Sequence, residues 1–219
     1  MSPAAVIFDL DGVLIESEAL WDRVRRRFVE ERGGRWSAEA QQAMMGMSSP
    51  EWSRYMHDQL GVALSPEEIC RAVVERVAAC YREHVPLLPG AREAVQALSA
   101  RWPLGLASSS NRPLIDLVLE CSGMRERFAV TVSSEEVERG KPAPDVYLQA
   151  ARLLGASPQR CVAIEDSSNG LLSAHAAGLR VIAIPNREFP PSQRALACAT
   201  VRLDSIEQLT PELVGSLDG

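Results

Sequence analysis

Five short runs of apolar residues, rich in β-branched side chains, recur along the chain and end at polar residues. They span residues 4–10, 103–109, 129–134, 160–166 and 179–185, and a segment at 199–205 fits an additional edge strand. Runs of this length are typical of buried strands in a parallel sheet. Helical patterns separate most of them. This order predicts an α/β fold, a Rossmann-like doubly wound parallel sheet in three layers, with ligands at the carboxyl ends of the strands.

One long segment breaks the alternation, because from about residue 18 to residue 82 the pattern is only helical. Serine–proline pairs at 49–50 and 65–66 predict helix starts, and Ser65 with Glu68 matches a capping box. The sequence therefore predicts an all-helical domain, residues 16–85, inserted into a core domain that comprises residues 1–15 and 86–219.

Charge and composition restrict the partners. The net charge of −6 disfavours nucleic acid and anionic membranes. No apolar run approaches the ~20 residues of a membrane span, and the first residues lack the basic region of a signal peptide. Five cysteines without a C-x-x-C pair predict reduced thiols. These features favour a cytoplasmic, monomeric protein that binds a small molecule.

Acidic side chains stand at the ends of two predicted strands. Asp9 and Asp11 follow the first strand two residues apart, so both carboxylates can face one pocket; an Asx turn is the alternative. Glu165 and Asp166 end the fourth strand, where capping of the next helix is the alternative.

Neutral and basic groups follow the second and third strands. The hydroxyl-rich stretch that contains Ser108, Ser109 and Asn111 precedes a helix, where hydroxyls and free amides suit an anion, or simply cap the helix. Lys141 stands in a proline-stiffened loop, where it can neutralise a phosphate or lie on the surface beside a turn. Because all these groups fall at carboxyl ends of predicted parallel strands, we expect them to meet. Acids without a His or Cys cluster suit Mg²⁺, and together with a lysine they form a phosphoryl-transfer site.

In their order along the chain, these four motifs resemble those of the haloacid dehalogenase superfamily. They are DLDGV at 9–13, the hydroxyl of Ser108, the lysine of GKPAPD at 140–145, and EDS at 165–167. The helical insertion resembles that superfamily's α-helical cap. The stretches ESEALWDR, VPLLPGAREAV and LGLASSS resemble its sugar-phosphate and hexitol-phosphate phosphatases, which are relatives of β-phosphoglucomutase.

The resemblance implies a role for each matched residue. Asp9 would be the nucleophile that forms an aspartyl-phosphate, and Asp11 would be the general acid and base. The groups that would hold phosphate are Ser108, Ser109, Asn111 and Lys141. The groups that would hold Mg²⁺ are Asp9, Asp11, Glu165 and Asp166.

Two departures from the mutase relatives favour a phosphatase, with a β-phosphoglucomutase-like sugar-phosphate mutase as the alternative. Trp21 stands where the mutases carry a histidine, and the loop 44–51 offers serines where they carry a phosphate-binding arginine. The presence of Asp11 disfavours a haloacid dehalogenase, and the complete set of catalytic residue types disfavours a non-catalytic binding module.

The resemblance thus implies a Mg²⁺-dependent phosphatase for a small phosphorylated metabolite, with a sugar or polyol phosphate favoured. Trp21, Met47 and Ser48 are candidate substrate contacts from the inserted helices. The basic segment 23–28 favours a solvated helix face, with a binding patch as the alternative.

Overall fold

A six-stranded parallel sheet, in the order β3-β2-β1-β4-β5-β6, forms the centre of the computed structural model, which describes residues 3–44, 47–187 and 189–217. Every predicted strand segment contains a strand. The strands β1 to β6 are Ala5–Phe8, Leu104–Ser108, Phe128–Ser133, Cys161–Glu165, Arg180–Ala183 and Val201–Arg202.

Helices connect the strands and cover both faces of the sheet. Helices α1 to α10 are Glu18–Glu31, Ala38–Met44, Ser49–Asp58, Pro66–Glu83, Ala91–Ser99, Arg112–Cys121, Asp145–Leu153, Ser168–Ala176, Gln193–Leu196 and Pro211–Ser216. Across the described ranges, no helix combines the length and the apolar character needed to cross a bilayer.

Alternate side chains of the central strand pack into two separate cores. Val6 and Phe8 of β1 belong to the cluster that includes α5 and α6, whereas Ala5 and Ile7 belong to the cluster that includes α7 and α8. All four side chains are fully buried, as expected for a strand that is covered on both faces. The predicted three-layer α/β architecture is confirmed.

The helices α1 to α4 form the insertion between β1 and α5. The segment that enters the insertion, 14–16, lies beside the segment that leaves it, 86–88. The Glu16 amide donates to the Pro86 carbonyl at 2.8 Å, and the Leu88 amide donates to the Leu14 carbonyl at 3.0 Å. The predicted capping box of Ser65 starts α4. Met45 and Gly46, within the predicted loop 44–51, lie outside the described residues.

Candidate active site

Three carboxylates meet where β1 and β4 end. These strands are parallel neighbours, with Phe8 opposite Ile164, so the residues that follow them emerge together. The next strand in the chain, β2, pairs with one edge of β1, and β4 pairs with the other edge. The strand order therefore reverses between β1 and β4, and open α/β sheets bind ligands at such a point. Oxygen atoms of Asp9, Glu165 and Asp166 lie within 4.8 Å of one another, and all three residues are buried.

Lys141 ties this carboxylate cluster to the second strand. Its Nζ donates to Asp9 Oδ1 at 2.6 Å, to Glu165 Oε1 at 2.6 Å and to the Ala107 carbonyl at 3.0 Å. Burial lowers the pKa of Lys141, but the carboxylates of Asp9 and Glu165 outweigh it and hold that pKa above its ordinary value. The lysine is therefore a fixed cation, and the loop 139–145 places it where the sequence predicts.

Both oxygens of Glu165 are occupied by hydrogen bonds from the protein. Oε1 accepts from Lys141 and from the Tyr147 hydroxyl at 2.7 Å, while Oε2 accepts from the Asp166 amide at 3.1 Å. A Cβ on Gly170 would lie 1.9 Å from Oε2, so α8 approaches this closely only because position 170 is glycine. Glu165 thus fixes the lysine and the start of α8.

The acids carry more negative charge than Lys141 offsets. Burial raises the pKa of Asp9 to about 8, with Lys141 opposing and Glu165 and Asp11 adding to the rise. Burial also raises the pKa of Asp166 well above its ordinary value, and Glu165 adds to this. A divalent cation would supply the missing positive charge, and an all-oxygen donor set fits such a cation.

Gly12 makes room for one of these acids. Its φ of +79° lies in the left-handed region, and a Cβ there would lie 2.0 Å from Asp166 Oδ2. The glycine of the DLDGV motif is therefore required both for the turn and for the acid on the neighbouring strand.

Asp11 is held by two serine hydroxyls that the sequence did not single out. Its Oδ1 accepts from Ser17 at 2.6 Å, and its Oδ2 accepts from Ser110 at 2.7 Å. Ser17 is the residue before α1, and Ser110 follows β2. The two hydroxyls fix the carboxylate that the resemblance implies as acid and base.

The hydroxyl stretch after β2 contributes different contacts from each residue. Ser108 is fully buried, and its Oγ accepts from the Ser110 amide at 3.0 Å. Ser109 lines a cavity beside Asp11. Asn111 also lines this cavity, but its side chain donates to Glu135 at 2.5 Å and accepts from Ser49 at 3.1 Å. Asn111 therefore connects the core to α3.

The cavity has a volume of about 90 Å³ and lies between the strand ends and the inserted helices. Trp21 and Met47, two of the predicted substrate contacts, line it. Trp21 also packs edge-on against Trp52 at 6.0 Å between ring centroids. The third predicted contact, Ser48, donates a hydrogen bond from its hydroxyl to Glu51 in a capping box. The residue that lines the cavity here is its neighbour, Ser49.

The basic segment 23–28 is not wholly solvated, so that prediction is wrong in part. Arg23, Arg26 and Arg27 are exposed, whereas Arg25 is only 6% exposed and lines the cavity. The burial of Arg25 could have been predicted from its position four residues after Trp21, because this spacing places both side chains on the same helix face.

Comparison with known proteins agrees with this geometry. The family model described as haloacid dehalogenase-like hydrolase matches residues 3–178. The chain is 34% identical to hexitol phosphatase B of Escherichia coli K12 over 223 residues, which cover 94% of both proteins. It is similar to CbbY of Rhodobacter sphaeroides in complex with phosphate, with a TM-score of 0.87 and 31% identity over 98% of this chain and 100% of that one.

A mutant of CbbY in complex with xylulose-1,5-bisphosphate has a TM-score of 0.83 and 32% identity, over 94% of this chain and 96% of that one. The family match extends over most of the sequence, and hexitol phosphatase B aligns along almost its full length. The chain therefore belongs to the haloacid dehalogenase-like hydrolase family, as one of its phosphomonoester hydrolases.

Proposed function

We propose that the chain is a Mg²⁺-dependent phosphatase that hydrolyses a sugar or polyol phosphate through an aspartyl-phosphate intermediate. The observation that carries the proposal is the pairing of Asp9, held by Lys141, with Asp11, held by Ser17 and Ser110, at one edge of the sheet. The similarity to hexitol phosphatase B supports a polyol or sugar phosphate as the substrate class.

In this proposal, Asp9 attacks the phosphorus atom, and the bond from phosphorus to the alcohol oxygen breaks as the aspartyl-phosphate forms. Asp11 donates its proton to the departing oxygen and then removes a proton from the water that hydrolyses the intermediate. Lys141 holds Asp9 Oδ1, which keeps the nucleophile oriented. Ser108 and Ser109 would donate hydrogen bonds to phosphoryl oxygens.

Asp9, Asp166 and the backbone carbonyl of Asp11 would hold Mg²⁺, with Glu165 orienting this donor set. When bound, the cation neutralises negative charge on the phosphoryl oxygens. The raised pKa values of Asp9 and Asp166 support this assignment, because a bound cation would favour the ionised form of both acids.

We also propose that residues 16–85 act as a cap domain on a core of residues 1–15 and 86–219. The paired junctions at 14–16 and 86–88 support this division, because both connections run together. The cap closes the cavity over Asp11, and the resulting exclusion of water protects the intermediate until the alcohol has left.

The test is phosphate release from a panel of sugar and polyol phosphates with Mg²⁺ or EDTA, using wild type, Asp9→Asn and Asp11→Asn. We expect release that requires Mg²⁺ and falls at least ~10³-fold in Asp9→Asn. The control Asp116→Asn alters a half-exposed carboxylate on α6 and should retain full activity. Acid quenching should trap phosphate on the wild-type protein but not on Asp9→Asn.

Two outcomes would overturn the proposal. Release that persists in EDTA would exclude the metal dependence, and release that persists in Asp9→Asn would exclude Asp9 as the nucleophile. Formation of an isomeric sugar phosphate in place of free phosphate, detected by ³¹P NMR, would assign a mutase.

A further inference from the structure

Arg25 is a buried cation that the proposed mechanism does not use. Its guanidinium carbon lies 4.6 Å from the ring centroid of Trp21 and 5.0 Å from that of Trp52. The two indoles hold the group by cation–π contacts within the inserted helices, and only 6% of the residue is exposed. Its conformation is therefore fixed by packing.

The hydrogen-bonding capacity of this guanidinium is incompletely used. Among the described residues, Arg25 Nε is buried without a hydrogen-bond partner, and Arg25 forms no ion pair. By contrast, Arg26 on the same helix donates to Asp22 at 2.7 Å, and Arg27 donates to Glu31 at 2.9 Å. A buried polar group without a hydrogen-bond partner costs free energy, so an unpaired Nε in a residue that lines a cavity points to a ligand.

The charge on Arg25 persists at neutral pH. Burial lowers its pKa to about 10, while Glu18, Asp11 and Asp22 act in the opposite direction through space.

Arg25 lines the same cavity as Asp11 and Ser109. Asp11 is the residue that protonates the departing oxygen in the proposed function, so the cavity that it lines would receive the alcohol part of the substrate. A guanidinium has five N–H donors in a planar fork and no acceptor, and this geometry matches a carboxylate or a phosphate.

We infer that Arg25 is a specificity-determining residue that binds a second anionic group, carried by the alcohol part of the substrate. The inference rests on the proposed phosphatase function and narrows its substrate class from phosphate esters of uncharged sugars or polyols to phosphate esters that carry a second anionic group. A carboxylate and a second phosphate share this chemistry, and the experiment distinguishes them.

The experiment compares matched pairs of phosphate esters. In each pair, one ester (the charged member) carries a second anionic group and the other (the neutral member) does not. Gluconate 6-phosphate against sorbitol 6-phosphate tests a carboxylate, and fructose 1,6-bisphosphate against fructose 6-phosphate tests a second phosphate. The ratio of kcat/KM for the charged member to that for the neutral member is measured in wild type and Arg25→Met. We expect wild type to prefer the charged member of at least one pair, and Arg25→Met to lower that ratio roughly 10- to 100-fold.

Two further variants separate charge from packing. Arg25→Lys retains the charge but not the planar fork, so its ratio should fall between those of wild type and Arg25→Met. Arg26→Gln alters an exposed arginine one residue away and should leave both members of each pair unaffected. In the inactive Asp9→Asn background, calorimetric titration should show the same loss of affinity for the charged member on Arg25→Met substitution.

The outcomes separate the two proposals. If wild type releases phosphate from neutral members and shows no preference for charge, the inference about Arg25 is wrong and the phosphatase function stands. If Arg25→Met slows both members equally, Arg25 has only a packing role. If wild type releases no phosphate from any member, the proposed function fails, and the inference fails with it.

Discussion

Replacing Lys141 by methionine tests whether the carboxylate cluster depends on its one bound ammonium group. The side chain is 4% exposed and contacts Asp9 and Glu165, which are 8% and 0% exposed. Removing one partner of a buried ion pair costs about 3–5 kcal/mol, because the remaining charge must stay unpaired or take up a proton. We expect a loss of this size in the free energy of unfolding at pH 7.5 in EDTA.

This loss should shrink as the pH falls below about 8, because Asp9 then takes up a proton and no longer carries the charge that pairs with the lysine. For a chain of this length, a loss of about 3–5 kcal/mol corresponds to roughly 6–20 °C in Tm. Urea unfolding followed by circular dichroism, at pH 7.5 and at pH 4.5, measures both effects.

Arg139→Gln is the matched control, because it removes a nearby cation that is 67% exposed and pairs with Asp145 at 3.2 Å. Exposed pairs contribute at most about 1 kcal/mol, so this variant should unfold almost as wild type does. Equal and small losses in Lys141→Met and Arg139→Gln would refute the view that the lysine stabilises buried charge.

Two further predictions follow from the same cluster. Gly170→Ala should abolish phosphate release, because the added Cβ would lie 1.9 Å from a Glu165 oxygen. In the control Gly215→Ala, the added Cβ would lie 3.9 Å from the nearest atom, so phosphate release should be unchanged. In EDTA, the free energy of unfolding should fall as pH rises from about 4 to about 8, because the raised pKa of Asp9 makes the folded state bind more protons than the unfolded state across that window. Saturating Mg²⁺ should remove this fall, and a metal-free stability that rises with pH in urea titrations would contradict the reasoning.

The strands and the carboxylate cluster could be predicted because they depend on local pattern and on one rule of topology. A parallel strand that is covered on both faces must be apolar throughout, so β1 and β4 stand out in the sequence. Once both strands belong to one parallel sheet, the acids that follow them must emerge at the same edge. The positions of Asp9 and Asp166 follow from this without any knowledge of side-chain packing.

The partners of Asp11 could not be predicted in the same way. Ser110 is 99 residues from Asp11 in the chain, and its hydroxyl reaches the carboxylate only because the loop after β2 turns towards β1. Neighbouring serines at 108 and 109 have the same chemistry, so residue type could not show which of them would bond to the acid. The choice depends on the orientation of each side chain at the end of the strand.

Helix α1 and the residue before it carry, on one face, the side chain that positions Asp11 and those proposed to contact the alcohol. Ser17, Trp21 and Arg25 are four residues apart, a spacing that aligns side chains along a helix. Ser17 donates to Asp11, and Trp21 and Arg25 line the cavity in the next two turns. Because a helix rises about 1.5 Å per residue, Arg25 lies about 12 Å further along the axis than Ser17. A small rotation of α1 would move all three side chains together, so a substrate that engages Arg25 would also set the distance between Ser17 and Asp11.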